Sequence, residues 1–182
     1  MNNTDDDNDL QAFALPTGPR HPADIAARLM RDPEHQHLAD NDISIGYLMR
    51  LAPKEKGGKV ELGSVHDAKY LAQGGFKELF SQLLVQWMGY APQFVLVLDA
   101  DFWQQASDTE AEALVWHELS HIRQKVDKYG APKFSQDGAP SYGILDHDVS
   151  AFRSEVKRYG AWSPDLRSFL ASDVLNRLSD PY

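Results

Sequence analysis

One helix in the second half of the chain constrains the fold more than any other segment. Ser107 and Glu110 have the spacing of a capping box, in which each side chain accepts a hydrogen bond from the other residue's backbone N–H. Gly130 stands where a helix that runs through Tyr129 needs a left-handed residue to end. The sequence therefore predicts one long helix between Ser107 and Gly130.

This helix has one apolar face that can pack on a core. The residues of the apolar stripe recur at i, i+4, i+7 and i+11, and they are Val115, Leu119, Ile122 and Val126. At 100° per residue, His117 and His121 lie about 150° away from the stripe. We therefore expect the two histidines to face away from the core.

The two histidines belong to a pattern that is typical of metal sites. His117, Glu118 and His121 form the sequence H-E-x-x-H. Histidines four positions apart lie one turn apart on one helix face, so both imidazoles can reach one cation. Glu118 lies beside them, where it can accept a proton from a metal-bound water. The alternative is a solvated helix face that carries the motif by chance.

A third ligand is expected further along the chain. A catalytic zinc commonly has three protein ligands and a water. Asp146, His147 and Asp148 follow a loop rich in Gly, Pro and Ser, at the start of another predicted helix. Imidazole chemistry favours His147, but Asp148 is an alternative ligand that the sequence leaves open. Both aspartates also suit the positive end of a helix dipole, and one of them can orient a ligating imidazole.

Other segments predict a mixture of helices and strands. Helices are expected from Pro22, over 76–88, over 146–159 and from Ser163 towards Leu178. Alternating apolar residues predict a half-buried strand over 43–51, and the glycines at 57 and 58 predict a turn to a return strand over 60–62. The apolar run at 94–98 predicts a strand that is covered on one or both faces. The remaining histidines are expected at the surface; they are His21, His35, His37 and His66.

Length and composition predict one domain. With 182 residues and 42% hydrophobic content, the chain can build one modest core. Residues 1–20 are acidic and then proline-rich, which predicts a disordered acidic tail before a single domain over 21–182. The chain has no Cys, so thiolate zinc sites are excluded and any metal must bind His and carboxylate.

Charge and hydropathy limit the partners that are expected. A net charge of -9 disfavours binding to nucleic acid. No apolar run approaches the roughly 18 residues of a membrane span, and the acidic N-terminus does not have the form of a secretory signal. We therefore expect no membrane partner and a cytoplasmic location.

The order of elements is similar to a known family. Strand FVLVLDADFW, helix EAEALVWHELSHIRQ, a loop and then DHDVSAFRSEVKRYGAW resemble the phage-type metallopeptidase family, which is related to SprT-like and other compact zincins. H-E-x-x-H is shared by many zincins, whereas H-D-V-x-x-F and R-Y-G-x-W over 147–162 are more specific. The resemblance covers roughly residues 43–162. SprT-like proteases often carry a Cys-based zinc ribbon and DNA-binding tails, and this chain has neither, so a role in DNA repair is not expected.

The resemblance implies an α+β fold and a set of site residues. The fold would be a compact zincin-like domain, with a small mixed β-sheet packed against the H-E-x-x-H helix and further helices. His117, His121 and His147 would bind Zn²⁺, and Glu118 would be the general base. An edge strand beside the metal cleft would pair with an extended substrate peptide.

These expectations lead to a zinc-dependent metallopeptidase that hydrolyses a protein or peptide substrate in the cytoplasm, which would be the host cytoplasm for a phage protein. One alternative is a non-catalytic zincin-like scaffold that binds and blocks a host partner protein. A weaker alternative is an HD-type metal phosphohydrolase, suggested by the dipeptide His147-Asp148. It ranks low because HD domains are wholly helical, whereas 94–98 reads as a strand.

Overall fold

The structure, a computed structural model, describes residues 12–56, 58–71, 74–145, 152–168 and 171. The strands are β1 (Phe13–Ala14), β2 (Ile45–Arg50), β3 (Glu55–Lys56), β4 (Lys59–Val60), β5 (Gly63–Asp67), β6 (Phe94–Asp99), β7 (Ile122–Gln124) and β8 (Tyr142–Ile144). The helices are α1 (Pro22–Leu29), α2 (Gln36–Asp40), α3 (Phe76–Met88), α4 (Ala100–Gln105), α5 (Asp108–Ser120) and α6 (Arg153–Tyr159). A short helical segment at 164–168 follows α6. The fold is mixed α+β, as predicted.

A four-stranded mixed sheet lies at the centre of the fold, with the strand order β1-β2-β6-β5. β2 and β6 are parallel, while β1 and β5 pair antiparallel with β2 and β6. Every residue of β2 and β6 is buried. The prediction that β2 is half-buried is therefore wrong. Helices cover both faces of the sheet, which is typical of strands with parallel neighbours.

Two apolar clusters lie on opposite faces of the sheet. The larger cluster joins one face of β6 to α5, and its members include Leu96, Leu98, Leu114, Val115 and Leu119. The smaller cluster lies under α3 and consists of Leu48, Leu84, Val95 and Val97. Because side chains alternate along a strand, neighbouring residues of β6 serve different clusters. The sheet thereby separates α5 from α3.

The predicted hairpin between 43–51 and 60–62 does not form. β2 pairs with β1 and β6, and the chain then makes a small separate hairpin, β3–β4. Gly58, with φ +77°, lies in the turn of that small hairpin. The returning strand starts later, at Gly63, and pairs with β6. β2 is buried on both faces, which fits an inner position in the sheet rather than one strand of an isolated pair.

The helix that carries the H-E-x-x-H motif is shorter than predicted. α5 ends at Ser120, and the chain turns directly into β7, which pairs with β8. Val126 is 55% exposed and does not belong to the core stripe. Gly130 has φ +84° but ends a turn, in which its N–H donates to the carbonyl of Asp127. A left-handed glycine serves a turn as well as a helix end, so the sequence signal was ambiguous.

The predicted tail and the predicted third-ligand segment fall partly on residues that the structure does not describe. Residues 1–11 and 146–151 are not described, and His147 and Asp148 fall in the second range. Within the predicted tail, Phe13–Ala14 pair with β2, and Arg20 donates a 2.6 Å hydrogen bond to the carbonyl of Ala106. These residues of the predicted tail therefore contact the rest of the domain. α6 starts at Arg153, after the extended Phe152, rather than at 146 as predicted, and it ends before Gly160, as predicted.

Candidate metal and catalytic site

α5 presents the motif to an open cleft. The predicted capping box fixes its start, since Ser107 N–H donates to Glu110 at 2.9 Å and Glu110 N–H donates to Ser107 at 3.3 Å. The opposite face of α5 is buried in the larger apolar cluster, as the stripe predicted for Val115 and Leu119, while Ile122 is also buried but belongs to β7. His117, Glu118 and His121 line a cleft of about 810 Å³. The structure thus brings these three predicted site residues together.

Each motif histidine is held through its Nδ1 atom. His117 Nδ1 lies 2.7 Å from a carboxylate oxygen of Glu155, and His121 Nδ1 lies 2.6 Å from the carbonyl oxygen of Leu145. The two ring centroids are 5.0 Å apart. Both oxygens are acceptors, so Nδ1 carries the hydrogen and the lone pair of the neutral ring is on Nε2. This is the tautomer in which an imidazole can ligate a metal through Nε2.

The protonation of His117 reflects two opposing causes. Burial lowers the pKa of His117, but the hydrogen bond to Glu155 and the charges of Glu118 and Glu155 raise it, and the net pKa lies above the usual value. The Nδ1 hydrogen of His117 is therefore held firmly by Glu155. A cation at Nε2 would take the place of the second proton.

Glu118 is a buried carboxylate with an unsatisfied oxygen. It is only 2% exposed, and among the described residues its Oε2 atom has no hydrogen-bond partner. Burial raises the pKa of Glu118 to about 7, and the charge of His117 opposes this shift. A buried carboxylate oxygen without a partner is costly unless a ligand or water satisfies it.

Gly63 on β5 allows the Glu118 carboxylate to lie against the edge strand. A Cβ atom at Gly63 would be 2.5 Å from Glu118 Oε1 and 3.0 Å from Leu114 Cδ1. Any larger residue would therefore collide with the carboxylate. No sequence pattern predicts this contact, because Gly63 has no spacing relation to the H-E-x-x-H motif.

Glu155 is a second residue that sequence reasoning missed. It is 1% exposed, and its carboxylate accepts hydrogen bonds from the Phe152 N–H and the Trp162 indole N–H as well as contacting His117. Burial raises the pKa of Glu155, but the hydrogen bond and charge of His117 and the hydrogen bonds from Trp162 and Phe152 together outweigh it, so the net pKa is lowered. A glutamate in a predicted helix is usually solvated, and only the packing of α6 on α5 brings this one to the site.

The candidate metal site is described only in part. No group of three or more His, Asp or Glu side chains that could hold a metal occurs among the described residues. The two candidate third ligands, His147 and Asp148, lie outside those residues. The donors that are described nevertheless fit a metal in their chemistry: two imidazoles in the Nδ1–H tautomer and a buried carboxylate with an unsatisfied oxygen.

The prediction that the other four histidines lie at the surface is wrong for His35, which is buried, while the other three are half-buried. His35 is fully buried against the Trp116 ring, with the ring centroids 4.3 Å apart. His37 Nε2 lies 3.1 Å from the carbonyl oxygen of Ile122, and His21 caps α1 by accepting from the Ala23 N–H. His66 is half-buried on β5. The first three support the elements around α5 rather than a second site.

Comparison with known proteins identifies the family. A family model with the description "Putative phage metallopeptidase" matches residues 19–174. The chain belongs to this family. No curated protein and no solved structure matches the chain. Membership of the phage metallopeptidase family points to a metallopeptidase, and therefore to a metal cofactor and a protein or peptide substrate.

One of the alternative functions can be compared with the observed fold. The mixed sheet counts against an HD-type phosphohydrolase, because those domains are wholly helical. In the part of the chain that is described, no helix combines the length and the apolar character needed to cross a membrane.

Proposed function

We propose that this protein is a zinc-dependent peptidase of the H-E-x-x-H type. His117 and His121 bind Zn²⁺, His147 supplies the third donor, and Glu118 is the general base. The buried Glu118 carboxylate beside two imidazoles that are both held through Nδ1 carries the proposal. Bound zinc supplies an acidified water and polarises the scissile carbonyl. The H-E-x-x-H helix beside an edge strand also supports a relationship to SprT-like zincins.

Glu118 is suited to move a proton in both directions. A pKa of about 7 lies near the pH of the cytoplasm, where a general base works best. Its unsatisfied Oε2 can accept the proton of a nucleophilic water and later deliver it to the leaving amine. Gly63 keeps the carboxylate in place, because no side chain separates β5 from it.

The substrate is an extended segment of protein or peptide. β5 is an edge strand of the four-stranded sheet, and Gly63 to His66 line the same cleft as the motif histidines. An extended peptide can add to such an edge by backbone hydrogen bonds. On the opposite rim, Asp165 pairs with Lys59 at 2.9 Å, so the cleft is bounded by the β3–β4 hairpin and the segment after α6.

The decisive experiment compares Glu118→Gln with His117→Ala. We expect Glu118→Gln to bind zinc normally and to cleave a denatured protein substrate about 10²- to 10⁴-fold more slowly, since the proton acceptor is lost. We expect His117→Ala to lose zinc, measured by elemental analysis. Glu112→Gln, on the same helix but outside the cleft, is the control. Cleavage by Glu118→Gln at the wild-type rate would refute the proposal.

The same experiment distinguishes the scaffold alternative. A non-catalytic protein would keep zinc and retain an intact partner from host lysate, with no cleavage by either the wild type or the variant. A peptidase would instead deplete the bound protein over time, and only when Glu118 is present.

A further inference from the structure

A second cavity lies on the other side of the sheet from α5. It measures about 880 Å³ and is enclosed between α3 and the sheet. Its walls are mainly apolar, with Leu48 and Val97 from the sheet and Phe80, Leu83, Leu84 and Trp87 from α3. This volume falls in the range of small-molecule sites, which are mostly apolar with a few fixed polar groups.

One end of this cavity is cationic. Arg50 lies two residues after Leu48 on β2, so both side chains are on the α3 face of the sheet. Arg50 and Lys54 both line the cavity, and no acidic side chain among the described residues does. Arg50 is 7% exposed, and its Nε atom is buried without a hydrogen-bond partner in the described part of the chain. A buried guanidinium N–H of this kind lacks an acceptor.

The nearby acidic group does not neutralise this end. Glu61 accepts from Arg50 at 2.9 Å and from Lys54 at 3.0 Å, so one carboxylate faces two cations. Asp99, opposite Arg50 in the sheet, accepts from the N–H of Phe102 at the start of α4 and does not line the cavity. Among the described residues that line the cavity, the two charged side chains are therefore both cationic. Consistent with this, burial first and the charge of Lys54 second lower the pKa of His66, which also lines the cavity.

We propose that this cavity binds an anionic amphiphile, namely a medium-chain carboxylate. Its alkyl chain lies between α3 and the sheet, and its carboxylate accepts hydrogen bonds from Arg50 and Lys54. The apolar wall, the missing acceptor of a buried arginine and the two cationic side chains are all features of one cavity. Its apolar part lies across the sheet from α5, whereas Lys54 also lines the cleft beside α5, so the test separates this site from the proposed peptidase chemistry by adding a chelator.

The test is isothermal titration calorimetry of the full chain with decanoate, with and without chelator. For an alkyl chain of this length with one ionic contact, we expect a dissociation constant of about 0.1 mM. Binding should be unchanged by chelator, which excludes ligation of decanoate to a metal on α5. Decanol, which has the same chain and no charge, should bind at least about tenfold more weakly, because a hydrogen bond to a charged group is lost.

Variants assign the binding to the two ends of the cavity. Lys54→Gln should weaken decanoate binding severalfold, whereas Lys59→Gln, an equally exposed lysine outside the cavity, should not. Leu84→Trp should fill the apolar part and abolish binding, whereas Val85→Trp, on the outer face of the same helix, should leave it intact. Arg50 itself is left unchanged because its removal would also disrupt the ion pair with Glu61.

Three results would overturn the proposal. One is the absence of saturable decanoate binding below about 1 mM. Another is equal affinity for decanol and decanoate, which would mean an apolar cavity without anion recognition. The last is a dimer in sedimentation experiments that Leu84→Trp dissociates, because a second copy would then occupy this surface.

Discussion

Replacing Glu155 by glutamine tests whether the carboxylate that holds His117 also controls metal affinity. The carboxylate contacts three donors: the His117 imidazole at 2.7 Å, the Phe152 N–H at 3.2 Å and the Trp162 indole N–H. A glutamine of the same shape has one oxygen and one NH₂ group, so at least one donor must face another donor. The side-chain volume is unchanged, and only the hydrogen bonding and the charge differ.

Two estimates give the size of the effect. Losing a carboxylate that orients a ligating histidine typically costs 10- to 100-fold in metal affinity, or about 1.4 to 2.7 kcal/mol. Leaving one buried donor without an acceptor costs about 1 to 3 kcal/mol. We therefore expect Glu155→Gln to weaken zinc binding by about 10- to 100-fold, and we expect the unsatisfied donor to lower the stability of the metal-free protein by about 1 to 3 kcal/mol.

The assay is competition for zinc against a chromogenic chelator, with urea unfolding of the metal-free proteins measured in parallel. Glu112→Gln provides the control. The Glu112 carboxylate also accepts a hydrogen bond, from the hydroxyl of the half-buried Tyr159, but it does not contact a motif histidine. Glu155→Asp should partly restore affinity. The ¹⁵N shifts of His117 should show the Nδ1–H tautomer in the wild type and a mixture in Glu155→Gln, which a purely structural role would not produce.

The reasoning is refuted if Glu155→Gln binds zinc as tightly as the wild type. It is also refuted if affinity falls only in proportion to the stability lost by the metal-free variant. In that second case Glu155 would hold α6 on α5 without orienting His117.

Three further predictions follow from individual contacts. Gly63→Ala should reduce peptidase activity at least tenfold and destabilise the fold by about 1 to 3 kcal/mol, because the added Cβ displaces the Glu118 carboxylate. Gly75→Ala is the control: Gly75 has open space around it, so its substitution should change neither activity nor stability. Burial lowers the pKa of His35 to about 3 in the folded state. The free energy of unfolding of the wild type should therefore fall as pH drops from 6.5 towards 3, by up to about 1.4 kcal/mol per pH unit. Urea titrations of His35→Leu should lack this pH-dependent component. Lys59→Gln should change the free energy of unfolding by less than about 1 kcal/mol, because its ion pair is solvent-exposed; a larger loss would mean that the pair holds the cleft rims together.

The elements that were predicted correctly are those whose formation depends on interactions between residues close together in the sequence. The capping box of α5, the proline start of α1 and the helical spacing of α3 all act within one or two turns, and these elements are confirmed. The end of α5 and the partner of β2 were predicted wrongly. Both depend on strand pairing between distant segments, β7 with β8 and β2 with β6, and hydrophobic periodicity contains no information about which strands pair.

The residues of the candidate site fall into the same two groups, those placed by local structure and those placed by packing between distant segments. The positions of His117, Glu118 and His121 on one face follow from helix geometry alone, so their shared cleft could be predicted. Glu155 and Gly63 reach the site only through the packing of α6 and β5 on α5, and neither has a spacing relation to the motif. The assignment of the third ligand stays a prediction, because His147 lies outside the described residues.

The early end of α5 gives this protein a place where a reporter can be inserted. β7 and β8 clamp the chain directly after His121, while residues 131–139 between them are all exposed and turn at Gly138. Exposed loop tips tolerate added length at little entropic cost. A fluorophore placed at this tip would leave the helix undisturbed, and its emission could follow the binding of a substrate.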